Sequence, residues 1–366
     1  MIEWFNRGII LNNVERIRSK LLSSDLQAVL ITDEKNQRYA TGFAFTDGAV
    51  LITLKSAFLF TDSRYIEAAQ KTVADNITLR LFGAGKRLSQ LIKAELDNEK
   101  IEKIGGEEGT LSHGAYLAYE KLLGRTLTPC QRIFSELRAS KTAEEQEYMR
   151  RAQAIAELAL NDVLGIIKPG VSERDIAAEI AYRLLKHGGE GNSFDPIAVT
   201  GKNSSMPHGV PGDTLVKSGD FITMDFGCIK KGFCSDMTRT VAVGYASDEM
   251  KNVYGVVLNA QLAGIRAARA GVTGHEIDAA AREVIKSAGF GEFFGHSFGH
   301  SLGLDIHEMP SASPSAETKM PVGAVISAEP GIYLPGKFGV RIEDVLILNE
   351  TGCENITHAD KDLIIL

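Results

Sequence analysis

The apolar positions of this chain change rhythm part-way along it. In the first stretch, Val14 to Leu22 sets Ile17 and Leu21 at helical spacing, and the apolar runs Ala28 to Ile31, Ala49 to Leu54 and Ala57 to Phe60 are strand candidates. Asp47-Gly48 predicts a turn into the second run, and Asp62-Ser63-Arg64-Tyr65 predicts a helix start with Asp62 or Ser63 as its cap. Alternating elements of this kind predict a smaller α/β domain over residues 1–130. The boundary is expected within Pro129 to Ser140. Beyond it, Thr142-Ala143-Glu144-Glu145 opens an amphipathic helix expected to reach about Ile167, stopped by Pro169-Gly170.

Residues 131–366 state one pattern twice. Gly170-Val171-Ser172-Glu173-Arg174-Asp175 aligns with Gly271-Val272-Thr273-Gly274-His275-Glu276, and in each copy a hydroxyl stands three residues before an acid, the signature of a capped helix start. Further on, Gly219 to Gly227 aligns with Gly323 to Gly331, which sets Asp225 opposite Glu329. A second acid follows in each copy, Asp236 and Glu343, after the turns at Lys230-Lys231-Gly232 and Pro335-Gly336-Lys337. Each copy runs helix, strand, hairpin. The fold expected is therefore α+β, with helices on one face of a curved, mainly antiparallel sheet and a pseudo-twofold axis on which the four acids converge.

Asp225 and Glu329 interrupt apolar strand patterns at equivalent positions. An isolated acid in a strand is usually a surface or capping residue, but Asp and Glu are almost never fully buried without a partner. Four carboxylates in one pocket repel and take up protons unless a cation neutralises them, so the pattern points to bound metal. Beside them, His296, His300 and His307 fall within twelve residues, interleaved with Gly295, Gly299 and Gly303, which allow close backbone approach and argue against a helix. The same segment twice fits GxSxG, and Ser301, Asp344 and His358 stand in esterase order; the flanking residues make a poor strand and a poor helix for a nucleophile elbow, so the metal reading ranks above it.

Charge narrows the partners. With 40 Lys+Arg against 47 Asp+Glu in 366 residues the net charge is -7, there is no basic run, and no stretch approaches the apolar length of a membrane span. Neither nucleic acid nor membrane is expected as a partner. Met1 to Leu11 carries Glu3 and Arg7 and has no small-residue cleavage site, which suggests a cytoplasmic protein. Cys130, Cys228, Cys234 and Cys353 are scattered and expected as free thiols; Cys228 and Cys234 flank the first acids but form no CxxC pair for zinc.

These motifs resemble the proline-specific metallopeptidases of the pita-bread fold, the Xaa-Pro aminopeptidases and Xaa-Pro dipeptidases (prolidases), over almost the whole chain. The resemblance implies metal ligands at Asp225 in Asp-Phe-Gly, Asp236 in Ser-Asp-Met-Thr-Arg, His300 in Gly-His-x-x-Gly-Leu, Glu329 in Glu-Pro-Gly and Glu343 in Arg-Ile-Glu-Asp. It also implies active-site histidines at His208, His296 and His307. Ser301 departs from the glycine many members carry, which touches local loop shape only. Related creatinases and histone-binding domains keep the fold and lose the ligands; all five are intact here.

The donor set suits two divalent ions about 3.5 to 4 Å apart, Mn²⁺ first, with Co²⁺ or Zn²⁺ as alternatives. The implied reaction is attack of a metal-bridging hydroxide on the carbonyl before proline, with Glu329 shuttling the proton and His208 or His307 stabilising the oxyanion. Arg341 and Tyr333 are expected to hold acids and histidines in place, and a proline-containing peptide is the expected substrate of a homodimer. The rival readings are a methionine-type aminopeptidase and a non-catalytic peptide-binding module on the same scaffold.

Overall fold

A computed structural model of the chain describes residues 12–366. The segment Met1 to Leu11, where no export signal is expected, lies outside the described residues. The chain forms two compact units, the first ending at Leu137 and the second spanning Arg138–Leu366.

The first unit is built on a six-stranded sheet, in spatial order Thr78–Leu81, Ala57–Thr61, Ala49–Thr53, Ala28–Ile31, Ile104–Gly106 and Leu127–Pro129. The two pairings around Ala49–Thr53 are antiparallel and the other three parallel. The three strands read from unbroken apolar runs are buried at every position, as expected of strands covered on both faces. The expected cap at Asp62 or Ser63 does not form. The helix is Ile66–Thr72, its N-cap is Tyr65 with no side-chain bond, and Asp62 instead accepts from the Arg64 backbone N at 2.8 Å and from the Arg64 guanidinium. A nearby cation outcompetes the helix end for this carboxylate.

In the second unit the duplication is visible in the backbone. Both starts carry a reciprocal capping box, Ser172 with Asp175 on helix Glu173–Lys186 and Thr273 with Glu276 on helix Gly274–Ser287. Before each, a glycine takes positive φ, 94° at Gly170 and 84° at Gly271. Those glycine amides bond equivalent carbonyls, Val216 O and Met320 O, both at 2.9 Å. The long helix before the first copy runs Ala143–Leu164, starting as read and capped by Thr142 with Glu145. It ends short of Ile167, because the chain tightens through Ile166 N to Val163 O at 3.0 Å and turns Ile167 into the core.

Each copy then supplies strands to its own antiparallel sheet. One has the order Met237–Ala242, Phe221–Phe226, Ile197–Thr200; the other Glu308–Ala312, Gly299–Ser301, Val325–Ala328, Asp344–Leu348, Cys353–Asn355. Helices Ala143–Leu164 and Glu173–Lys186 share the core of the first sheet, and Asp248–Ala267 and Gly274–Ser287 that of the second. The half-sheets are joined where Glu343 N donates to Thr238 O at 3.1 Å. All four acids stand near this seam.

Candidate metal centre

Strand register places the acids. Thr238 pairs with Asp225 across the first hairpin, so Asp236 sits two residues along on the same face, diagonal to Asp225 and not directly opposite. In the second half Ala328 pairs with Asp344, and one further step along both chains sets Glu329 against Glu343. His300 arrives on Gly299–Ser301, beside Val325–Ala328. That approach requires Gly299, where a Cβ would lie 2.0 Å from Ser327 O.

Donor atoms of Asp236, His300 and Glu343 lie within 4.8 Å of one another. His300 Nε2 stands 3.2 Å from Glu329 Oε1 and 3.6 Å from Asp236 Oδ2. Asp225 Oδ2 accepts from Arg341 Nη2 at 2.6 Å, and Glu343 Oε2 accepts from Thr238 Oγ1 at 2.7 Å. The other oxygens of three acids, Asp225 Oδ1, Asp236 Oδ1 and Glu343 Oε1, are buried with no partner. Buried polar atoms are nearly always satisfied, and three orphaned carboxylate oxygens beside an imidazole fit a divalent cation as their missing partner.

The electrostatics agree. Burial, reinforced by the neighbouring acids, pushes Asp236 and Glu343 well above the usual carboxylate range. Burial raises Asp225 too, with the Arg341 guanidinium pulling against it. Glu329 goes the other way: burial would raise it, but the hydrogen bond and charge of His300 bring it down to about 2. Burial would lower His300, and the same contact carries it up to about 9. Burial lowers His296 and His307, the latter aided by the charge of His300.

Around the acids runs a chain of hydrogen bonds. Arg341 Nη1 donates to Tyr333 OH at 2.7 Å and to Pro207 O at 3.2 Å, Arg341 Nε donates to Thr238 Oγ1 at 3.0 Å, and Tyr333 OH lies 2.9 Å from His296 Nε2. A cleft of 480 Å³ brings together Asp225, Asp236, Glu329, Glu343, His208, His296, His300, His307 and Arg341. Tyr333 does not line it and stands behind, touching Arg341 and His296. Sequence reasoning missed the hydroxyls on which the acids rest, Thr238 and Ser327, whose Oγ donates to Glu329 Oε1 at 3.0 Å. Both lie two residues from an acid, and the period of a strand offers the signal that finds them. It also missed the wall residues Phe194, Ile197 and Ile306.

The alternatives fall apart in space. Ser301 Oγ donates to Pro310 O at 2.6 Å, Asp344 pairs with Arg239 at 2.9 Å and Lys361 at 2.8 Å, and His358 is exposed beside Glu157. The four cysteines are free; Cys228 Sγ faces Ala152 O at 3.3 Å, and burial pushes its thiol up to about 11.

Residues 147–350, more than half of the chain, match Metallopeptidase family M24. The chain belongs to this family. As an M24 enzyme it is a metal-dependent peptidase that works with divalent ions, and residues 13–140 match the Creatinase/Prolidase N-terminal domain. The solved structure of an Xaa-Pro dipeptidase from Bacillus anthracis is 40% identical, with a TM-score of 0.93 over 97% of this chain and 99% of that one. An X-Pro aminopeptidase from Thermotoga maritima MSB8 is 35% identical, with a TM-score of 0.91 over 97% and 100%. The Xaa-Pro dipeptidase of Pyrococcus horikoshii is 33% identical over 358 residues, 97% of this chain and 99% of that protein. The M24 unit has the pita-bread fold. Among the described residues no helix is long and apolar enough to cross a membrane.

Proposed function

We propose that this M24 enzyme hydrolyses the bond before proline in Xaa-Pro peptides, with Asp225, Asp236, His300, Glu329 and Glu343 holding two divalent ions. The observation that carries this reading is the meeting of four carboxylates with one imidazole, three of the acids each keeping a buried oxygen without a partner. Two divalent charges balance four carboxylates. The oxygen-rich set favours Mn²⁺ over softer ions. When bound, such ions polarise a carbonyl and acidify water.

The protein's own groups do the rest. Glu329, whose Oε1 faces His300 Nε2 at 3.2 Å and accepts from Ser327 Oγ at 3.0 Å, is the proton carrier. His208 and His307 line the cleft and stabilise the oxyanion, while Phe194, Ile197, Pro207 and Ile306 give the pyrrolidine ring an apolar wall. Arg341 and Tyr333 fix Asp225 and His296. Residues 131–366 form the catalytic domain in this reading and residues 1–130 the N-terminal one, and the enzyme works as a homodimer, as the family resemblance implies.

Exhaustive chelation should abolish hydrolysis of Ala-Pro and Ala-Pro-Ala, and Mn²⁺ should restore it. Turnover that survives chelation, or survives Asp236→Asn, overturns the reading. Both dipeptidase and aminopeptidase names occur among the relatives at similar likeness, so comparing the two substrates decides between them.

A further inference from the structure

Beside the metal centre lies a second group of buried charges that the reaction described above does not use. Glu308 directly follows His307, and its side chain is 6% exposed. Arg138 Nε donates to Glu308 Oε1 at 3.1 Å, Arg138 Nη2 donates to the same oxygen, and Lys141 Nζ donates to Oε2 at 3.1 Å. Arg138 Nη2 also donates to Asp305 Oδ2 at 2.5 Å, and Asp305 N donates to Glu308 Oε1 at 3.1 Å. Both cations are buried as well, at 10% and 2% exposure. Stability alone does not call for this arrangement, since apolar side chains of similar volume usually serve a core as well or better. What charge-assisted bonds in a fixed fork add is position.

The position they fix is that of the segment from Asp305 to Glu308. Between its two tethered acids stand Ile306 and His307, both of which line the cleft, and the His307 ring lies 4.3 Å from the ring of His300. The backbone is held from the same side: Cys234 N donates to Gly303 O at 2.7 Å and Gly303 N to Asp305 O at 2.9 Å. Gly303 leaves room for the carboxylate, because a Cβ there would stand 2.7 Å from Glu308 Oε2. The cations have a firm base of their own, with Lys141 N donating to Gly323 O at 2.9 Å and Ser140 Oγ to Val322 O at 2.6 Å.

We infer that Arg138 and Lys141 are positioning residues: through Glu308 they hold His307, and with it the Ile306 wall, against the metal-binding His300. This rests on the reading of His307 as a group that faces the substrate carbonyl. In the Mn²⁺-loaded enzyme, Arg138→Met should lower kcat on Ala-Pro by about 10- to 100-fold, as loss of an outer support does at metal sites, with KM and bound metal little changed. Amide exchange over residues 303–309 should quicken while that over 325–329 does not. Arg138→Lys keeps the charge without the fork and gives an intermediate kcat, which serves if the methionine variant does not fold. In a His307→Ala background the Arg138 substitution should add almost nothing, since its effect passes through that imidazole. Independent, multiplying losses in the double variant, or unchanged exchange over 303–309, overturn the inference. If His307→Ala alone leaves kcat intact, His307 drops out of the reaction, and the positioning claim stands or falls on the exchange result.

Discussion

Two buried groups of acids stand side by side in the second unit, and their proton affinities are shifted in opposite directions. Glu308 is met by Arg138 and Lys141, and although burial would raise it, those cations bring it down to about 2. Asp236 and Glu343 are just as hidden, and burial drives them well above the usual range. The difference is one of partners: every charge in the Glu308 group has its counter-charge in the chain, whereas the seam between the half-sheets gathers acids and leaves Asp225 Oδ1, Asp236 Oδ1 and Glu343 Oε1 buried without a partner. Burial therefore does not tell a structural acid from a functional one; an unpaired oxygen does.

Neutralising one unpaired acid breaks the comparison most sharply. Asp236→Asn should cut turnover by about a thousandfold or more, several kcal/mol at the transition state. After chelation the same variant should be more stable than the parent at neutral pH, by about 1–3 kcal/mol, because a buried carboxylate whose Oδ1 has no partner has been removed. The parent's own pH dependence carries the sign. An acid raised in the folded state binds its proton more tightly there, so the contribution of Asp236 and Glu343 to the stability of the chelated parent falls as pH climbs past 3.8 and 4.5, their ordinary values. Added Mn²⁺ should flatten that fall in denaturant melts followed across pH. A chelated variant less stable than the parent would place Asp236 with the structural acids.

The paired group predicts the reverse. Glu308→Gln leaves two buried cations short of their counter-charge and should destabilise the protein by about 3 kcal/mol, with or without metal. In the parent, the stability Glu308 supplies is complete above its ordinary 4.5 and is lost as pH falls through about 2. Acid denaturation should therefore begin at higher pH in chelated parent carrying Arg138→Met than in chelated parent itself.

What the sequence disclosed follows the same divide between local and distant partners. The helix starts at Ser172 and Thr273 were legible because a capping box lies within four residues, and the hairpin turns were legible from Gly232 and Gly336, both at positive φ. Asp62 was misread because its partner is a charged neighbour that outcompetes the helix end. Arg138 is separated from Glu308, the acid it serves, by 170 positions, and no spacing rule reaches so far. The repeat carried the site. It told which acids meet in one cleft before any contact was known.

Arg341 stands between the two classes, a cation lent to the acids of the cleft through Asp225 and held in turn by Tyr333. Tyr333→Phe removes the hydroxyl that joins Arg341 to His296 and should lower kcat about tenfold, or roughly 1–1.5 kcal/mol, with bound metal unchanged. Loss of metal together with activity would instead make the tyrosine part of the ion's support.

The smallest expected effect tests whether pairing alone sorts the acids. Asp344 is as buried as Asp236, and it directly follows Glu343, yet Arg239, Lys361 and Asn355 take up its oxygens at 2.9, 2.8 and 2.7 Å. It belongs with Glu308, and the esterase order of Ser301, Asp344 and His358 has no counterpart in space. His358, with 77% of its side chain exposed, has no route to the reaction. His358→Ala should leave kcat within about twofold, and Ser301→Ala should cost only the buried hydrogen bond to Pro310 O, about 1 kcal/mol of stability. Neither variant should change the response to chelation. A serine-directed inhibitor that abolished turnover, and lost its effect in Ser301→Ala, would mean that a fully paired buried acid had taken part in catalysis after all.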